Sequence, residues 1–178
     1  MDETTPTAAA APKTHIQFGI VAAAVGIVLF LAFYLFDIPQ RGWEGYIPSL
    51  IFMLIIIAGQ FSHAKALEGN ITYGNLFASG FKTAAVATSI TVLFYILVLL
   101  LYPPYKAHMM ELSRQQLAEK GNLTADQIDA AMKMTTRFFV VIVVGGAVFG
   151  SLLVGCIGSL IGAALPKKNP RPQAPFQS

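Results

Sequence analysis

Three basic side chains, His63, Lys65 and Lys82, come closest in type and spacing to a chemical site. All three lie where long apolar runs end or begin. Gathered at one membrane face, they would make a patch of positive charge suited to a phosphate or an anionic lipid headgroup. The plainer reading is a solvated helix end, because basic residues are common at such interfaces. Lys82 falls inside an apolar run, close to its start. It reads as an anchor whose methylenes stay in lipid while the ammonium reaches the headgroups; the alternative is a functional cation. Asp126 and Asp129 stand one helical turn apart. Two carboxylates on one face suit a divalent cation, but they fit better in the first turn of a helix, where negative charge is favourable.

Other chemistry has no residues to carry it. There is no Gly-rich phosphate loop, no zinc-protease motif and no nucleophile elbow. Cys156 is the single cysteine, which excludes an intrachain disulfide and a thiolate metal set. It reads as a small packing residue, with a redox or lipidation role as the alternative. Asn70-Ile71-Thr72 and Asn122-Leu123-Thr124 match glycosylation acceptors, which carry meaning only in a eukaryotic secretory protein. No Asp, Glu or His falls within the apolar runs: His15 and His63 sit at edges and His108 lies outside. Titratable groups at membrane depth are the usual mark of an ion pathway, so their absence argues against a coupled transporter. The expectation is a non-enzymatic protein with no catalytic, cofactor-binding or metal-ligating residues and no cofactor. An enzyme acting on lipid would have only His63, Lys65 and Lys82 to use.

The elements that position these residues are helices in lipid. The 178 residues are 55% hydrophobic and only 12% charged, against roughly 25% charged in a soluble domain. Hydrocarbon is the solvent that accommodates such a surface. Net charge is +3, and the basic residues form no dense stripe, which excludes a nucleic-acid partner. Four runs are each near the roughly 20 apolar residues that a spanning helix needs: residues 16–36, 45–61, 76–102 and 138–165. Trp43 and Tyr46 belong at a headgroup interface. The Tyr102-Pro103-Pro104-Tyr105 sequence should end or kink the third helix. Residues 1–15 read as a disordered tail and 166–178 as a disordered, basic, Pro-rich tail.

Between the third and fourth runs, residues 105–137 read as an extramembrane helical hairpin. Met109, Leu112 and Leu117 mark one apolar face, and Ile128, Ala131 and Met132 another. Gly121 joins the two helices, and Thr124 with Gln127 makes a capping box. The alternative is that both helices lie flat on the lipid surface. The fold class is thus all-α: an integral membrane bundle of four transmembrane helices with this hairpin between the third and fourth.

Apolar side chains gain little by leaving lipid for one another, so close packing of small residues must join the helices. Gly146, Gly150, Ser151, Gly155, Gly158, Ser159 and Gly162 form adjacent small-residue stripes on the last helix. They serve the bundle of a single chain, with a homo-oligomer seam as the alternative.

Four spans put both termini on one side. Basic residues then split six against six: Lys13, Lys65, Lys82, Lys167, Lys168 and Arg171 face Arg41, Lys106, Arg114, Lys120, Lys133 and Arg137. The cluster just after the last span favours cytoplasmic termini.

Gly69-Asn70-Ile71-Thr72-Tyr73-Gly74, then Ser79-Gly80-Phe81-Lys82, resembles the bacterial membrane family called domain of unknown function 4199. The Pro103-Pro104 break, the Thr124-Ala125-Asp126-Gln127-Ile128-Asp129 stretch, and Gly158-Ser159-Leu160-Ile161-Gly162 leading to Lys167 and Lys168 fit as well. The likeness covers about residues 16 to 168. It implies a four-helix protein of the kind found in Bacteroidetes, in the cytoplasmic (inner) membrane, and it transfers no catalytic residues. The functional expectation is an assembly partner or accessory subunit of an unknown membrane protein, with the hairpin as its recognition surface. The alternative is a small oligomeric transporter or channel.

Overall fold

A computed structural model describes residues 13–38, 42–119 and 121–169. The expectations for the two tails fall largely outside these residues, as do those for Arg41, Lys120 and Arg171. The protein is all-α, and four helices are long and apolar enough to cross a membrane. Helix α1 spans Thr14–Leu35; a 3₁₀ turn, Trp43–Tyr46, leads into α2, Ile47–Ala66; α3 spans Tyr73–Leu101, α4 Pro103–Glu119 and α5 Ala125–Ala164.

Helix ends follow local chemistry. Pro48 sits in the first turn of α2, where its missing N–H costs nothing. The helix runs on past the apolar run, which ends at Phe61, to Ala66 and carries His63 and Lys65 in its last turn. Nothing breaks it earlier, and basic residues near a helix C-terminus are favourable. It ends where Glu68 (φ 52°) and Gly69 (φ 76°) turn left-handed, and the Gly69 N–H reaches back to the Ala64 carbonyl at 2.9 Å. Helix α3 starts at Tyr73, three residues before the apolar run, because Thr72 is its cap and accepts from the Asn75 N–H at 3.3 Å. It ends at Leu101, two residues before the proline pair. Tyr102 is held extended by the proline that follows it, and α4 begins on Pro103.

The capping box at α5 is complete: the Thr124 hydroxyl accepts from the Gln127 N–H, and the Thr124 N–H donates to Gln127 Oε1. One helix of 40 residues then runs to Ala164, interrupted only by non-helical dihedrals at Phe138. The break stands where polar sequence gives way to the apolar run. Helix α4 runs antiparallel to the first part of α5. Arg114 pairs with Asp129 at 2.8 Å, and the Lys106 ammonium lies 5.5 Å from the centre of the Phe139 ring. Met109, Leu112, Leu117, Ile128, Ala131 and Met132 are half-buried between them.

Four helices form a ring in the order α1, α2, α5, α3, with α2 and α3 also touching across its centre; α1 and α5 do not meet among the described residues. The end of the bundle where α1 begins and α5 finishes is the tight one. Gly19 lies against Val86, Gly59 against Phe18, and Ala22, Ala23 and Ala87 cluster in the core. The opposite half is looser. Large apolar side chains such as Leu50, Leu54, Leu93, Leu97 and Phe149 are exposed around the outside, where hydrocarbon solvates them.

Candidate functional site

At the tight end, His63 is hydrogen-bonded through Nδ1 to the Thr14 hydroxyl at 2.7 Å, joining the end of α2 to the start of α1. His15 and Lys82 both lie close enough to His63 to act on it electrostatically. The structure thus brings His63 and Lys82 together and adds His15. Lys65, two residues on, is exposed on a different side of α2, because positions i and i+2 do not share a helix face. His15 could have been read as a member from its place directly before the first apolar run.

One helical turn deeper, the amide of Gln60 joins three helices. It is fully buried, and its Nε2 donates at 2.9 Å to the Leu76 carbonyl of α3 and at 2.9 Å to the Ser159 carbonyl of α5. The Ser159 hydroxyl turns back to the Gly155 carbonyl at 2.6 Å. Gly80 and Gly162 make room for the amide: a methyl group at either would overlap it. Gly155 and Gly158 press on Ala84 and Met53 in the same way. Gln60 passes in the sequence for a polar residue ending a span. The signal for its role was a glycine on each of two other helices at matching depth.

The small residues of α5 therefore divide. Gly155, Gly158, Ser159 and Gly162 are buried in close helix contacts, whereas Gly146 and Gly150 meet nothing within 4 Å of where a side chain would begin. Gly26 of α1 is equally open. These open glycines lie on the looser half, and there the bundle is hollow. An inner cavity of about 200 Å³ touches all four helices of the ring; Gly26, Phe52, Thr88, Thr91, Gly150 and Ser151 are among its walls. Thr88 is only 6% exposed, and its hydroxyl has no partner among the described residues.

An outer cavity of about 680 Å³ adjoins it, sharing Gly26, Leu29, Pro48 and Tyr95, and extends to Asp37, His108 and Gln116 under α4. Aromatic rings crowd its wall. Phe30 meets Tyr95 edge-on at 5.1 Å and Tyr105 at 5.5 Å, and Tyr34 meets Tyr105 at 5.7 Å. Partial burial, with Tyr95 and Tyr34 nearby, pushes the Tyr105 phenol up to about 12, so it stays neutral. The rings come from α1, α3 and α4, which is why no single stretch of sequence announces them.

Asp129 is committed to Arg114, and among the described residues no group of three potential metal ligands comes together. Comparison with curated proteins and with solved structures finds no match. A family model does match, over residues 17–168, nearly the whole helical region whose segments 69–74, 79–82 and 158–162 carry the resemblance. The chain, a multi-pass membrane protein, therefore belongs to the family described as Protein of unknown function (DUF4199).

Proposed function

We propose that this protein is a non-enzymatic accessory subunit or assembly partner in the bacterial cytoplasmic membrane, with both termini cytoplasmic and the α4–α5 hairpin as its recognition surface. The observation that carries the reading is α4 itself. None of its residues is buried, and an ion pair and a cation–ring contact tie it to α5. Helix α5 is about 60 Å long at 1.5 Å per residue, twice the roughly 30 Å of a hydrocarbon core. Its polar first part, with α4 alongside, projects beyond the lipid and presents Glu111, Gln115 and Glu119 outward.

The test is a photocrosslinker at Gln115 in the intact membrane. One defined membrane protein should be captured, and the same protein should co-purify with the wild type and be lost on Glu111→Lys. Capture of nothing but the chain itself rejects the reading.

The hollow between the helices favours a second reading, a small transporter or channel. Against it, Gln60, Leu76 and Ser159 fill the tight end, fully buried or nearly so. A conducting path would have to unplug there, so flux in liposomes that rises with Gln60→Ala would support this alternative.

A further inference from the structure

We propose that His15, His63 and Lys82 form one binding site, at the end of the bundle where α1 begins, for the phosphate of an anionic lipid headgroup. Helix geometry brings the three together. Helices α1 and α3 run in the same direction: Gly19 packs against Val86 near this end, and further along Phe30 meets Phe94 at 5.6 Å. One turn back from the Gly19 contact stand His15 on α1 and Lys82 on α3, level with each other on the faces that touch. Helix α2 arrives from the opposite direction. Gly59 packs against Phe18, and one turn further on His63 meets Thr14 at 2.7 Å. Depth fits as well. The 22 residues of α1 span about 33 Å, close to the roughly 30 Å of a hydrocarbon core, so the helix starts at headgroup level.

Nothing acidic is placed to balance these groups. Neither α1 nor α3 carries an acidic residue in its first turn. Lys13, Lys65, Lys82, Lys167 and Lys168 stand at this end against one acidic residue, Glu68, among the described residues. Basic residues that serve only as anchors can each reach a headgroup of their own. Basic groups gathered from three helices repel one another once charged, and an anion between them reverses that cost. Thr14 holds Nδ1 of His63, which leaves Nε2 for a ligand. Lys82 is exposed, and its flexible stem carries the ammonium to the same place. Ile16, Ile20 and Phe81 are exposed on the same stretches of α1 and α3. They offer acyl chains an apolar wall and offer a free anion nothing, which is why the phosphate is a lipid's.

Full-length protein in mild detergent is titrated with phosphatidylglycerol or phosphatidylcholine, and bound lipid is counted by native mass spectrometry. One phosphatidylglycerol per chain should bind about tenfold more tightly than phosphatidylcholine. Lys82→Met, which keeps most of the apolar stem, should weaken phosphatidylglycerol about fivefold, the effect of one basic residue near an anionic surface. Lys65→Met, on another side of α2, should weaken it by less than about twofold. His15→Gln should weaken it more than Lys65→Met does; if one of the two site variants does not fold, the other gives the same readout. Equal binding of the two lipids, or equal losses with Lys65→Met and Lys82→Met, would reduce the cluster to diffuse surface charge and overturn the proposal. So would radiolabelled inorganic phosphate saturating at one per chain in phosphatidylcholine vesicles, which would assign the site to a soluble anion. None of these outcomes depends on whether α4 recognises a partner.

Discussion

A single amide does most to set the geometry of the tight end. Gln60 is an expensive residue to bury, and both of its N–H bonds go to carbonyls on other helices. Gln60→Ala should lower stability by about 2–4 kcal/mol, combining lost hydrogen bonds with a cavity. Gly162→Ala should cost about 1–3 kcal/mol, since its methyl would strike Gln60 Oε1. The two changes occupy the same space, so the double variant should be more stable than the sum of the single losses allows, as read by thermal unfolding in detergent. Strict additivity would mean that the two residues do not meet. Tyr105 gives a prediction in pH. Its folded value lies above the ordinary value near 10, so its contribution is complete below pH 10 and is lost as pH climbs towards 12. Tyr105→Phe should therefore flatten the alkaline fall in stability over that window.

At the scale of elements, hydrophobic length is a local property, and that is why four helices were legible. Their ends were less so. The apolar run gives out at Phe61, but helix geometry does not depend on hydrophobicity, and α2 persists through His63 and Lys65. Thr72 starts α3 early through a cap inside a segment that reads as polar connection. The cavities were not legible at all, because they depend on how far helices stand apart in their looser half. No periodicity distinguishes Gly150, which meets nothing, from Gly158, which meets Met53. The start of α5 was legible from Gly121 and from Thr124 with Gln127. Its cap should be worth about 1 kcal/mol. Thr124→Ala should accordingly speed amide exchange in the first turns of α5 and in α4, while the protection of α5 beyond Phe138 stays as it was.

For the molecule as a whole, the division into a tight end and a loose end is the main result, and it aligns with the direction of the chain. The start of α1 and the end of α5 lie at the tight end, and α4 packs beside the first part of α5 at the other. A membrane-impermeant maleimide should label Gln115→Cys in intact spheroplasts and Glu68→Cys only after permeabilisation. The reverse pattern would invert the orientation. Cys156, half-buried within α5, should contribute little background.

The segment after α5 has a practical consequence. Pro166 is buried, the Asn169 N–H donates to the Gly69 carbonyl at 2.8 Å, and Lys168 lies over the Tyr73 ring at 5.9 Å. These residues latch the end of α5 onto the turn between α2 and α3, so the bundle can be fastened only after α5 has been made. Affinity tags should accordingly be joined beyond Asn169. A fusion made directly at Leu165 would leave the latch open and should yield protein that inserts but is readily degraded.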